Sequence, residues 1–188
     1  AGVGISGTAT TAYTLTFTSA GLTSATQSIT PTFGTATQAT LTTPALGSAS
    51  GSAFTTQPII TIKDAAGNIV TNSTASVTMT VSIGGTTLGT TTINAVAGIA
   101  TFTNVGISGA AGTSYTLTFA SIGLTSATQS ITPTFGTATQ VTLSPTAAGS
   151  ASGSAFTTQP VITITDSSGN TVTDSSASVT MTVSGNGI

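Results

Sequence analysis

Along most of the chain, apolar residues alternate with threonine or serine. In Ala75–Ser82, Val77, Met79 and Val81 fall on one side and Thr78 and Thr80 on the other. In Ser114–Ala120, Tyr115, Leu117 and Phe119 alternate with Thr116 and Thr118. A period of two sends one set of side chains to a core and the other to water, so each run predicts a half-buried β-strand. The same rule predicts strands at Gln38–Thr42, Pro58–Lys63, Thr86–Ile93, Ile99–Thr103 and Ser126–Ile131. Pro58 stands at the start of its strand, where a missing N–H is tolerated. Turn residues separate the strands: Gly47–Gly51, Asp64–Asn68 (DAAGN), Gly84–Gly85 and Ala95–Gly98. Seven or eight short strands at this spacing predict an all-β Greek-key sandwich. Its predicted core is Ile60, Ile62, Val70, Val77, Met79, Val81, Leu88, Ile93, Phe102, Ile107, Tyr115, Leu117, Phe119 and Leu124.

The pattern recurs. SATQSITPTFGTATQ occupies Ser24–Gln38 and Ser126–Gln140, GSASGSAFTTQP occupies Gly47–Pro58 and Gly149–Pro160, and ASVTMTVS occupies Ala75–Ser82 and Ala177–Ser184. The offset is about 102 residues, the length of a whole sandwich domain and too long for a solenoid coil. Its phase divides the chain into three parts. Residues 1–34 are the C-terminal part of a repeat, 35–136 a complete repeat, and 137–188 the N-terminal part of the next. Together the two partial repeats lack only the counterpart of Thr87–Phe102. Two arrangements fit: a window onto a longer covalent tandem array, or a head-to-tail polymer in which partial ends of neighbouring copies complete each other by strand complementation. Both lead to a filament.

Composition narrows the chemistry. Only Lys63, Asp64, Asp166 and Asp174 carry charged side chains, the net charge is -2, and His, Cys, Arg, Glu and Trp are absent. Catalytic triads, thiol nucleophiles, and zinc, haem or iron–sulfur sites need side chains that are missing. One lysine cannot build the basic face that nucleic acid requires. No catalytic residue, cofactor, metal or nucleic-acid partner is therefore expected. Serine and threonine supply the water-facing polarity, and β-branched threonine suits an exposed strand face. No run approaches the ~18 continuous apolar residues of a membrane helix, so no membrane span is expected in this segment. The N-terminus lacks the basic region and apolar core of a signal peptide. Absent cysteine fits the cytosol or a bacterial or archaeal exterior. So little charge suits the exterior better, since solubility in a crowded cytosol leans on charge. The expected location is extracellular or on the cell surface.

A few residues invite specific readings. Asp64, Gly67 and Asn68, and their counterparts Asp166, Gly169 and Asn170, are turn-forming: aspartate bonds the turn backbone while glycine takes positive φ. Calcium is the competing reading, but it wants six to eight oxygens and usually several carboxylates, whereas each turn offers one aspartate. Lys63 beside Asp64 suggests an isopeptide crosslink, yet Thr165 replaces the lysine in the next repeat. Gln57 and Gln159 near threonines suggest an ester crosslink, for which no catalytic acid is evident. Asn72-Ser73-Thr74 is a sequon, making Asn72 a candidate for glycosylation, with surface glycans as an accompanying partner. The aromatic residues fall at inward positions and read as core. Phe33 and Phe135 are exceptions: each follows a proline at a repeat boundary, where it is placed to pack one repeat against the next.

Several of these segments resemble the tandem bacterial immunoglobulin-like repeats of large surface proteins, the invasin and intimin-like adhesins among them. The matching features are the Asp-x-x-Gly-Asn turns (Asp64–Asn68, Asp166–Asn170), ASVT at Ala75–Thr78, GIATF at Gly98–Phe102, G-x-x-YTLTF at Gly112–Phe119 and the Gly123–Leu124 pair. The resemblance covers nearly the whole chain. It implies tandem immunoglobulin-like Greek-key β-sandwiches and a spacer role, holding a separate binding domain away from the cell. The near-absence of charge departs from the family's pattern. The expected function is that of a non-catalytic structural protein of prokaryotic origin. It would form an extracellular filament or stalk, with neighbouring repeats or copies of the same chain as partners. The alternative is an adhesin module that recognises a surface or host ligand, which would need an exposed aromatic or polar pocket in the loops.

Overall fold

A computed structural model describes residues 2–185. In chain order its strands are β1 (Tyr13–Phe17), β2 (Ala25–Ile29), β3 (Ala36–Thr43), β4 (Ser52–Ala53), β5 (Ile59–Asp64), β6 (Ser76–Val81) and β7 (Thr86–Leu88). There follow β8 (Thr92–Asn94), β9 (Ile99–Thr101), β10 (Gly106–Ser108), β11 (Tyr115–Ala120), β12 (Ala127–Ile131), β13 (Ala138–Leu143) and β14 (Ile162–Asp166). The described residues contain no helix, so the chain is all-β. It divides into two compact units, Ala1–Thr134 and Phe135–Ile188.

In the first unit, a three-stranded sheet runs β3-β5-β9 and a four-stranded sheet runs β12-β11-β6-β8. A small third sheet, β4-β10-β7, and the β1-β2 hairpin complete it. All ladder pairings are antiparallel. A parallel bridge joins Gln38 to Thr125: the Ala39 N–H donates to the Thr125 carbonyl at 2.9 Å, and the Thr125 N–H to the Thr37 carbonyl at 2.9 Å. This bridge ties β3 to the segment leading into β12, across the two larger sheets.

Alternation explains the core these sheets share. Ile60 and Ile62 of β5, Val77 and Met79 of β6, and Leu117 and Phe119 of β11 are all buried in one cluster. Each such side chain contributes about 1.5–3 kcal/mol relative to exposure. Phe102, just after β9, meets Phe119 with ring centroids 5.6 Å apart and planes tilted by 59°, an arrangement aromatic pairs favour. Phe54 and Val105 also reach the core, although they lie outside strands and outside any alternating run. Val81, Ile93 and Leu124 sit at its half-buried margin, and Leu88 is half-buried. The single strand expected over Thr86–Ile93 is two strands, β7 and β8. Gly89 lies between them with φ of +79°, and a Cβ there would meet the Asn104 carbonyl oxygen at 2.2 Å. That left-handed turn swings the chain from one sheet to another.

The partial repeats adopt the parts of this design for which they hold the residues. β1 pairs with β2 from Tyr13↔Ile29 to Phe17↔Ala25, the same register as β11 with β12 from Tyr115↔Ile131 to Phe119↔Ala127. In the second unit β13 pairs with β14, and its register shift between Ala138 and Gln140 repeats the one between Ala36 and Gln38. Phe17 corrects the expectation that the aromatic residues at inward positions are core. It is 58% exposed where its counterpart Phe119 is fully buried; among the described residues its sheet holds only β1 and β2, whereas β11 lies between β12 and β6. Residues 178–183 share the SVTMTV sequence of β6 but form no strand. The sequences that flank β6 in its sheet, those of β8 and β11, have no counterpart in 137–188.

Candidate functional site

The Asp64–Asn68 turn closes the end of β5. The Asp64 N–H donates to the Asn68 carbonyl at 3.0 Å, and the Gly67 N–H to the Asp64 carbonyl at 3.1 Å. Gly67 has φ of +85° with open space around it, so its conformation and not crowding selects glycine. The Asp64 side chain does more than hold the turn. Its Oδ1 accepts from the N–H groups of Ala66 (2.9 Å) and Asn68 (2.8 Å), and its Oδ2 from the Gly34 N–H (2.7 Å) and the Asn68 Nδ2 amide (3.1 Å). The Gly34 N–H leads the bonds that lower the Asp64 pKa below the ordinary aspartate value, outweighing the desolvation that acts against them. Every donor pointing at this carboxylate is an N–H. That surrounds an anion with positive dipole ends and leaves a poor site for a cation.

Asn68 reaches the other way. Its Oδ1 accepts from the Ala9 N–H at 2.8 Å, and its Nδ2 donates to the Gly7 carbonyl at 3.1 Å. A side-chain amide carries the same donor and acceptor as a peptide group. Asn68 thus pairs with residues 7–9 much as a neighbouring strand would. Residues 7–9 belong to the preceding partial repeat, so this turn fastens one repeat to the next. A shallow cleft of about 440 Å³ opens beside the contact, lined by Ile5, Gly7, Pro31, Gly34, Asp64 and Asn68 among others. Phe33 is half-buried and packs on the core of the complete repeat.

The counterpart turn is built alike inside the second unit. Asp166 Oδ1 accepts from the N–H groups of Ser168 (2.8 Å) and Asn170 (2.9 Å), and Oδ2 from the Gly136 N–H (2.7 Å) and the Asn170 Nδ2 amide (2.9 Å). Gly169 has φ of +80°. Burial pushes the Asp166 pKa upward, but the side-chain amide of Asn170 and the three backbone donors outweigh it and bring the value below the ordinary one. Phe135 is half-buried, and Asn72 is exposed on a turn. Among the described residues, no three His, Cys, Asp or Glu side chains gather as metal ligands, and no helix is long and apolar enough to cross a membrane.

Other polar side chains act as clamps that sequence reading missed. Gln57 donates to the carbonyls of Phe54 (2.7 Å) and Val105 (3.1 Å) and accepts from the Val105 N–H (2.9 Å). Its amide is committed to backbone and not to a threonine hydroxyl. Gln159 donates to the Phe156 carbonyl at 2.8 Å. Gln129 accepts from the Ala45 N–H (2.9 Å) and donates to the Ala45 carbonyl (2.7 Å). Tyr115 Oη accepts from the Ala110 N–H at 2.9 Å, and Tyr13 Oη from the Thr8 N–H at 2.8 Å. A glycine six positions before each tyrosine (Gly7, Gly109), where a Cβ would crowd the tyrosine hydroxyl, was the signal available in the sequence.

No protein-family model matches the chain, and no curated protein does. Among solved structures, it is similar to a β-glucuronidase of Parabacteroides merdae, with 15% identity and a TM-score of 0.41, over 58% of this chain and 15% of that one. It is similar to a β-glycosidase of Bacteroides vulgatus, with 14% identity and a TM-score of 0.43, over 57% of this chain and 15% of that one. A third is β-glucuronidase 3 of Bacteroides uniformis, with 16% identity and a TM-score of 0.39, over 64% of this chain and 16% of that one.

Proposed function

We propose that the chain is a non-catalytic structural segment of an extracellular filament or stalk, built from immunoglobulin-like repeats of about 102 residues. The observation that carries this reading is the contact between repeats. Residues 7–9 are bonded to Asn68, Gly34 is bonded to Asp64, and Phe33 packs on the neighbouring core, all inside one compact unit. Repeats fixed in this way transmit load and resist bending, where a flexible linker would swing freely.

The strand order supports the immunoglobulin-like assignment. Sheets β3-β5-β9 and β12-β11-β6-β8 correspond to strands A-B-E and G-F-C-C′ of that fold, and the parallel bridge at Gln38–Thr125 sits where A′ meets G. Tyr115 begins the F-like strand and accepts from backbone five residues upstream, in the manner of a tyrosine corner. Uncharged hydroxyl faces suit an exposed fibre, because little on them titrates. The test is immuno-electron microscopy of intact source cells with antibody raised against residues 35–136. Label running along fibres outside the cell supports the proposal. Label confined to the interior overturns it.

A further inference from the structure

Asn72-Ser73-Thr74 is the one Asn-x-Ser/Thr sequence in the chain. The Ser73 N–H donates to the Val70 carbonyl at 2.9 Å, closing a turn over residues 70–73 with Asn72 at its third position. Ser73 is anchored further: its carbonyl accepts from the Gly98 N–H at 3.1 Å, and its Oγ from the Ala75 N–H at 3.3 Å. Asn72 and Thr74, on either side of this anchored residue, are both exposed. The amide and the hydroxyl residue that define a sequon are therefore presented to solvent on a fixed loop. Asn72 also lines a cleft of about 530 Å³ with Phe33, Thr35, Val70 and Ser73. Phe33 is half-buried and Val70 is buried. The cleft thus combines an aromatic ring and an apolar floor with two hydroxyl-bearing residues, the make-up of a small-molecule site.

Resting on the reading of the chain as extracellular, we infer that Asn72 carries an N-linked sugar whose first pyranose ring lies in this cleft against Phe33. A pyranose gathers its C–H groups on one face and its hydroxyls around its rim. The C–H face meets the negative face of the Phe33 ring, and the rim reaches the hydroxyls of Thr35 and Ser73. In the transfer step, Asn72 Nδ2 bonds to C1 of a sugar activated through a diphosphate. The C1–O bond breaks, the diphosphate leaves with the electron pair, and one amide proton passes to solvent. Nothing is oxidised or reduced. The second unit holds the same turn without the motif. The Ser175 N–H donates to the Val172 carbonyl at 3.3 Å, and the Ser175 Oγ accepts from the Ala177 N–H at 3.4 Å. There Asp174 stands in place of Asn72 and Ser176 in place of Thr74. A carboxylate has no N–H to give up, so the sugar marks one repeat and not the next. It adds a bulky, hydrated, uncharged group to a chain that has almost no charge to keep it soluble.

Fragmentation mass spectrometry of the chain isolated from its source cells tests the site. Sugar mass is expected on Asn72 and none on Asp174. Asn72→Asp should lose it completely, and the turn tolerates the change, because Asp174 already occupies the same position in the second unit. Thr74→Val should also lose it while Asn72 remains. Thr74→Ser, which keeps the hydroxyl, should retain it. Hydrogen exchange reads the seating at the Gly34 amide, which follows Phe33 in the cleft and is bonded to Asp64 Oδ2 at 2.7 Å. That amide should exchange more slowly with the sugar attached than in the Asn72→Asp chain. Phe33→Leu, which keeps an apolar side chain but removes the ring, should erase the difference while the sugar stays attached. Bare mass at Asn72 overturns the proposal, as does sugar mass that persists after Thr74→Val. Equal exchange at Gly34 with and without the sugar overturns its seating on Phe33. A bare Asn72 in chain recovered from outside the cell removes the sugar alone, whereas the stacked-repeat reading fails separately if external fibres carry no label.

Discussion

Replacing Asn68 with alanine tests whether one side chain couples adjacent repeats. The change deletes the 2.8 Å bond from the Ala9 N–H and the 3.1 Å bond to the Gly7 carbonyl. A neutral hydrogen bond contributes about 1 ± 0.5 kcal/mol net, so the two together are worth about 1–3 kcal/mol of docking. The groups released on residues 7–9 can turn to water, so no further penalty for buried unsatisfied atoms is added. The change also removes the 3.1 Å bond to Asp64 Oδ2, which loosens the turn but does not bridge repeats. Energies of about 1–3 kcal/mol correspond to a roughly 5–150-fold shift in a local opening equilibrium. Native-state hydrogen exchange reads it directly. The Ala9 amide should exchange faster by that factor. The Met79 amide, bonded to the Thr91 carbonyl at 2.7 Å, and the Ile62 amide, bonded to the Gly98 carbonyl at 2.8 Å, should not change. The Thr10 amide, bonded to the Pro31 carbonyl at 2.8 Å within the partial repeat, reports whether that repeat keeps its own fold. Unchanged protection at Ala9 would refute the coupling. Equal loss at Met79 would show that Asn68 supports the whole domain instead.

Three more outcomes follow from the same geometry. Asp64 and Asp166 are held below their ordinary pKa, so the stability they contribute is complete above the unfolded value of about 3.9 and is lost as pH falls through the folded value. Melting temperature should therefore be level from about pH 5 to 9 and drop at lower pH, and an Asp64→Asn/Asp166→Asn double variant should show a weaker acid drop; a large loss between pH 5 and 9 contradicts this. Gly106→Ala should destabilise the first unit by about 1–3 kcal/mol in urea titration, because the new Cβ would stand 2.1 Å from the Ser52 carbonyl oxygen in the β4-β10 pair; Gly4→Ala, with nothing within 4 Å, serves as the neutral comparison. Thr165→Val should stabilise the second unit by about 1 kcal/mol, since Thr165 is buried and its Oγ1 finds no partner.

Much of the fold was legible because alternation and burial coincide in the complete repeat. Val77, Met79, Leu117 and Phe119 are spaced at two and all buried. Phe54 and Val105 were not legible, because they reach the core from irregular segments that carry no period. The break between β7 and β8 depends on one glycine's dihedral angle and on the Asn104 carbonyl beside it, and Gly89 alone does not announce either. The exposure of Phe17 depends on which strands are present to cover it, a matter of completeness and not of local sequence. At the site, the turn roles of Asp64 and Gly67 followed from their residue types. The role of Asn68 did not, because its partners Gly7 and Ala9 lie some sixty residues away and contribute only backbone atoms. Their side chains take no part in the contact with Asn68, so the sequence carried no mark of it.

The most direct measurement of the central claim is a density map of the native fibre at a resolution that traces backbone. The account predicts stacked sandwich domains, each joined to the one before it by the asparagine of its Asp-x-x-Gly-Asn turn bonded to the backbone two to three dozen residues ahead of the repeat boundary. Domains separated by an extended linker, with that asparagine facing solvent, would contradict it.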